Sequence, residues 1–268
     1  MIVRIISGIG VVVVVVGVLL FSNTIVLNIA VAALSVACVY EALIATKYVE
    51  SHALMFASLG IAALTPFVMG FSKSTVMLLM FVYVVIMFLL VFKNFETFKL
   101  EHIGVVFLIS VIIPYFFGNI IFLNHMDHGI YYLYLIFIGS WCSDSIALCA
   151  GKLFGRHKLI PKVSPKKTVE GAIGGIVGTM AGYAVTGVVV ERCFELQVNF
   201  LALLLLAVGV SIIGQVGDLA ASTIKRSFQI KDFGNVIPGH GGVFDRFDSV
   251  LFIAPFIALF AQFFTIFL

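Results

Sequence analysis

Long apolar runs separated by short polar ones dominate this chain. Segments at 5–21, 25–45, 54–70, 76–92, 103–122, 130–150, 172–190, 200–219 and 250–267 are each apolar enough to form a spanning helix, which needs roughly 20 such residues. The pattern predicts an all-α, polytopic integral membrane protein with about nine transmembrane helices. Composition agrees, because 62% of the 268 residues are hydrophobic, against about 45–50% in a soluble domain. The first run lacks a small-residue cleavage site in a clear context, so it reads as a retained helix, not a signal peptide. Its six consecutive valines suit a lipid-facing or core helix. No internal repeat and no separate soluble domain is evident. The expected organisation is one transmembrane domain over 1–268. Residues 1–125 supply lipid-facing, dimer or substrate-cavity helices, and 126–268 form a catalytic half.

Charge placement adds orientation. Cytoplasmic loops of membrane proteins carry an excess of Lys and Arg. With the N-terminus and Arg4 placed inside, only Lys73 and Arg192 of the 16 basic residues fall outside. Dropping one helix would flip every later loop and destroy this bias. The expectation is therefore N-in and C-out, in the cytoplasmic membrane of a cell. Two loops on the inner side are long, at 151–171 and 225–249. Long loops carrying specific Gly, Pro, Lys, Arg and Asp patterns favour function over disorder. The net charge of +3 is uninformative by itself, and no feature points to nucleic acid. The four cysteines, Cys38, Cys142, Cys149 and Cys193, lie in or beside apolar runs without metal-ligand spacing. They are expected to be buried small hydrophobes.

Only 11% of residues are charged, yet the stretch from Asp218 to Asp248 is dense in ionisable groups. Asp218 ends an apolar run, where an acid is expensive and usually faces a polar cavity. On a helix it would share a face with Ser222 and Lys225; an interfacial acid paired with Lys225 is the plainer alternative. Asp144, set among Ser140, Ser143 and Ser145, lies within the sixth run; it suits either a wet cavity or a helix-packing bond to Ser140 or Ser143. Asp245 and Asp248 precede the last run, where carboxylates also favour a helix start. Asp218 and Asp245 together offer two hard oxygen ligands from different helices, and Mg²⁺ is bound by one or two carboxylates with substrate phosphates. The turn from Pro238 to Gly242 gives exposed amides and His240, suited to phosphate or simply to a turn. In the other long loop, most of the basic residues fit topology and anionic lipid. Ser164 to Thr168 differs: Pro165 precedes Lys166 and Lys167, and Thr168 or a neighbour can cap the next helix with Glu170 in its first turn. A helix start flanked by lysines is a ready phosphate site. These parts suit transfer on a phosphate chain, which needs charge neutralisation and alignment but no covalent nucleophile.

The series Ser222, Ile224, Lys225, Arg226, Lys231, Asp232, Gly234, Ile237, Pro238, His240 to Val243 and Asp245 to Asp248 resembles the phosphatidate cytidylyltransferase (CDP-diacylglycerol synthase) family in identity and spacing. Ser164 to Gly171 resembles it as well, so the likeness covers the C-terminal half. Two places depart: the Ala147–Leu148 pair stands where a small residue and an aromatic would be expected, and Phe244 replaces an aliphatic. The resemblance implies that CTP and phosphatidate give CDP-diacylglycerol and pyrophosphate at the cytoplasmic face of the bilayer. It implies a Mg²⁺ requirement, with a second, monovalent cation as an open question, and a homodimer. Asp218 and Asp245 would hold the metal, with Asp144 and Asp248 as ligands or close neighbours. Lys167, Lys225 and Arg226 would take phosphates. Substrate contacts are further expected from Ser164, Lys166, Thr168, Ser222, Lys231, His240, Gly241, Gly242 and Arg246. The alternatives are a CTP-dependent polyprenol kinase, or an ion or proton transporter using Asp144 and Asp218.

Overall fold

The computed structural model describes residues 2–22, 25–49, 51–93, 99–239 and 241–268. Its described residues form nine helices and one small hairpin. The helices are α1 (Ile2–Leu20), α2 (Ile25–Thr46), α3 (His52–Val68), α4 (Lys73–Lys93), α5 (Leu100–Asn124) and α6 (Gly129–Phe154). Then come strands β1 (Lys158–Ile160) and β2 (Ser164–Thr168), followed by α7 (Val169–Phe194), α8 (Phe200–Ser227) and α9 (Phe244–Phe263). Each expected apolar run is a helix. Among the described residues, six helices (α2, α4, α5, α6, α7 and α8) are long and apolar enough to cross a membrane. The chain is thus a multi-pass membrane protein.

Three details differ from the expectation. The fold is helical but not purely so, because β1 and β2 pair antiparallel, with Lys158 opposite Thr168 and Ile160 opposite Ser164. Helix α8 continues to Ser227, eight residues beyond the apolar run. Good helix formers such as Ala220, Ala221, Lys225 and Arg226 sustain it once the apolar pattern stops. The last helix ends at Phe263. Beyond it Phe267 bridges to Val198, and Asn199 N–H donates to the Ile266 carbonyl at 2.9 Å.

The chain divides into two compact units, one of residues 1–125 and 228–247, the other of 126–227 and 248–268. In the first, α2, α3 and α5 pack together, with α1 against α2 and α4 against α3. Its core includes Leu27, Leu43, Leu54, Phe117 and Ile121, all almost fully buried. In the second, α6, α7 and α8 form the centre, and β2 packs on α6 and α7. A buried polar chain runs through that centre. The Ser143 and Ser211 hydroxyls are 2.9 Å apart, and Gln215 Nε2 donates to Ser211 Oγ at 3.1 Å and to the Ala172 carbonyl at 3.2 Å. In an apolar medium such groups must be satisfied internally, so this chain fixes how the three helices meet.

Cys38 is buried, but Cys149 and Cys193 are exposed on the protein's outer surface, contrary to the expectation of burial. They lie on α6 and α7. All four thiols are free.

Candidate functional site

The extension of α8 decides the first part of the site. It keeps Asp218, Ser222, Lys225 and Arg226 on one helix, in the second unit. Asp218 and Ser222 share a face, and Ser222 Oγ donates to Asp218 Oδ1 at 3.3 Å. The strong partner of Asp218 is Lys167, whose Nζ lies 2.6 Å from Oδ2. The basic hairpin thereby reaches the acid at the end of the apolar run. Arg226 Nε also donates to the Val163 carbonyl in the hairpin turn at 3.4 Å.

The hairpin is held at its base. Glu170, in the first turn of α7, lies 2.7 Å from His157 Nδ1 and accepts from the His157 backbone N–H. Thr168 is the α7 N-cap, and its Oγ1 accepts from Gly171 N–H at 3.1 Å. The capping read from the sequence is borne out. Substituting a capping Thr by Ala costs about 1 kcal/mol. Thr168→Ala should therefore lower the thermal midpoint by about 2–4 °C, measured by unfolding in detergent. Lys166 and Lys167 follow Pro165 in β2, with Lys166 exposed and Ser164 half-buried.

Asp248 is buried, at 7% exposure, and its Oδ1 accepts from Ser249 N–H at 2.7 Å. It stands ahead of the apolar part of α9. Burial, then the nearby Asp218 carboxylate, pushes its carboxyl above the usual range; Lys225 opposes this and Asp144 adds to it. Asp144, Asp218 and Lys225 thus all bear on Asp248 within the second unit. Asp144 is exposed on α6, and Ser143 beside it bonds Ser211.

Asp245, Arg246, Lys231, Gly241 and Gly242 belong to the first unit. Asp245 Oδ2 accepts from Phe233 N–H at 2.8 Å and Gly242 N–H at 3.1 Å. This acid thus closes the loop that precedes it. Ile237 and Gly241 bridge across the turn, and Gly241 has φ +88°, a conformation that side chains rarely adopt. Phe244, the departure from an aliphatic, packs on Phe233 with ring centroids 4.5 Å apart. Lys231 and Arg246 are exposed. His240 lies outside the described residues.

One residue near the site escaped sequence reasoning. Glu41, in α2, is 4% exposed and accepts from Val243 N–H and Phe244 N–H, each at 2.9 Å. A lone acid in an apolar run was the available signal.

Among the described residues, no three His, Cys, Asp or Glu side chains converge as a ready metal cage. The acids of the second unit nevertheless suit Mg²⁺. They offer hard carboxylate oxygens, and the charge that burial disfavours at Asp248 is what a divalent cation offsets.

A model of the cytidylyltransferase family matches residues 2–264. The chain is 39% identical over 163 residues to a phosphatidate cytidylyltransferase of Bacillus subtilis, a stretch covering 60% of this chain and 59% of that protein. It is 40% identical over 138 residues to the enzyme of that name from Staphylococcus haemolyticus and 38% identical over 138 residues to that from Staphylococcus aureus, covering 52% of each chain in both cases. The matched stretches thus span between half and two thirds of these relatives. With a family model running along nearly its whole length, the chain belongs to the cytidylyltransferase family.

Proposed function

We propose that the protein is a phosphatidate cytidylyltransferase, converting CTP and phosphatidate to CDP-diacylglycerol and pyrophosphate. The Lys167–Asp218 pair carries this reading, because it joins a basic, phosphate-suited hairpin to an acid at the end of an apolar helix. Family membership and the printed names of the relatives support it.

In the reaction, a phosphate oxygen of phosphatidate attacks the α-phosphorus of CTP. The bond from that phosphorus to the oxygen bridging to the β-phosphate breaks, and pyrophosphate leaves with the bond's electrons. The nucleophile is already anionic, so no strong general base is required. Lys166, Lys167 and Arg226 bind and orient phosphate oxygens, with Lys225 beside the acids. Ser164 and Thr168 shape the hairpin edge; Ser222 orients Asp218. That the glycine turn with His240, Lys231 and Arg246 adds substrate contacts is carried by the sequence resemblance alone. Asp218 and Asp248, with Asp144 beside them, would hold Mg²⁺; that Asp245 joins them is carried by the sequence resemblance alone. When bound, the metal supplies neutralisation of the charge that spreads over the phosphates. A second, monovalent cation is compatible with this set.

The same reading has nine spans, N-in and C-out, with the site on the cytoplasmic side where CTP is dissolved, and a homodimer in the membrane. Its support is the Lys and Arg distribution and the family resemblance. The test is conversion of labelled phosphatidate by purified protein with CTP and Mg²⁺. Pyrophosphate and CDP-diacylglycerol are the expected products. Release of CDP, or nucleotide-independent ion flux in liposomes, would replace this reading by a kinase or a transporter.

A further inference from the structure

We infer that Glu41 is a positioning residue for the nucleotide. It acts by fixing the 233–244 loop, which supplies the glycine turn and the start of α9. The inference rests on the cytidylyltransferase reading above.

Glu41 lies in an apolar helix and is almost completely buried. An unpaired carboxylate there would be costly. Its two oxygens are instead divided between successive backbone donors, Oε1 taking Val243 N–H and Oε2 taking Phe244 N–H, each at 2.9 Å. These amides open α9 and have no partner inside the helix. A negative group there is also favoured by the helix dipole. The loop backbone is shaped around the carboxylate. A Cβ on Gly234 would lie 2.6 Å from Glu41 Oε1 and 2.8 Å from its Cδ, and a Cβ on Gly242 would collide with the same carboxylate. Asp245 takes Phe233 N–H and Gly242 N–H. Two acids thus hold four amides across 233–244. One acid comes from the loop's own end, and the other from a helix some two hundred residues earlier in the chain.

Fixing matters because the middle of this loop is not packed within its unit. Asn235, Val236, Pro238 and Gly239 are exposed between the clamped ends. A turn with glycines at Gly239, Gly241 and Gly242 lets backbone amides approach the phosphate chain of a soluble nucleotide, whereas the lipid substrate arrives from the bilayer. Loosening the loop should therefore weaken CTP before it weakens phosphatidate. Glu41→Gln keeps size and shape but turns one acceptor into an NH₂ donor facing a backbone N–H. Gly234→Ala attacks the same contact from the loop side.

Full-length wild type, Glu41→Gln, Gly234→Ala and the double variant are purified in detergent. Steady-state kinetics are measured with CTP and phosphatidate varied in turn, and backbone hydrogen exchange is followed by mass spectrometry. Each single variant is expected to raise KM for CTP about tenfold, to keep KM for phosphatidate within about twofold, and to speed exchange across 233–244 while α6–α8 stay protected. The double variant should be little worse than either single one, as expected for residues in contact. Faster exchange with an unchanged KM for CTP overturns the nucleotide role and leaves a structural clamp. Unchanged exchange in both single variants overturns the clamp itself. A wild type with no CTP-dependent turnover refutes the functional reading and the nucleotide role with it; the exchange data still decide the clamp.

Discussion

Asp218→Asn is expected to reduce CTP-dependent turnover by about 10³-fold or more, the scale of losing a central electrostatic group in a catalytic site. The carboxylate has two engagements. Oδ2 faces the Lys167 ammonium at 2.6 Å, and Oδ1 receives the Ser222 hydroxyl. The amide retains an acceptor for Ser222 but no longer carries the charge that holds Lys167 and would hold a cation. Folding should survive, because Asp218 is only half-buried and the α6–α8 core is tied elsewhere by Ser143, Ser211 and Gln215. The measurement is pyrophosphate release at saturating CTP, with thermal unfolding as the folding control. Wild-type turnover in this variant would remove Asp218 from the site.

Asp248→Asn is expected to separate stability from activity. In the metal-free protein the ionised Asp248 is opposed by burial and by Asp218. A neutral amide of the same shape removes that opposition and can still accept the Ser249 N–H. In EDTA at neutral pH the variant should therefore unfold at a higher temperature than wild type, by about 2–4 °C for each kcal/mol relieved. With Mg²⁺ and CTP present the order should reverse. A ligand that binds only the folded state stabilises it, and the variant loses part of that binding together with at least about 10²-fold in turnover. Differential scanning fluorimetry with and without Mg²⁺ reads both effects. A variant that is less stable than wild type in EDTA contradicts the proposed charge conflict.

The helices were legible because long apolar runs admit no other structure in lipid. Legibility failed where apolar content stops being the signal. The end of α8 is one case: the apolar run stops at Leu219, while the helix runs on to Ser227 and bears out the shared face of Asp218 and Ser222 that their spacing predicts. The 158–168 hairpin has charged residues on its strands and no clean alternation, so only Thr168 and Glu170 betrayed its junction with α7. An ion pair with Lys225, seven residues on, is the plainer alternative that spacing offers for Asp218. The structure supplies Lys167 from the hairpin, an approach that no local spacing encodes. Charge alone marks Asp245 as a candidate ligand, while its bonds to Phe233 and Gly242 depend on a loop conformation invisible in sequence. Glu41 is hidden in the same way, because its partners are 202 and 203 residues away.

That separation has a consequence for biogenesis. Ribosomes add roughly 5–20 residues per second, so roughly 10–40 s pass between synthesis of Glu41 and of the amides that will satisfy it. Throughout that interval α2 carries an acid with no permanent partner. Such a helix is a weak candidate for early, final settlement in lipid. It is a better candidate for lingering beside the insertion machinery until the C-terminal segment is made. The first unit, although it begins the chain, would then be among the last parts to mature.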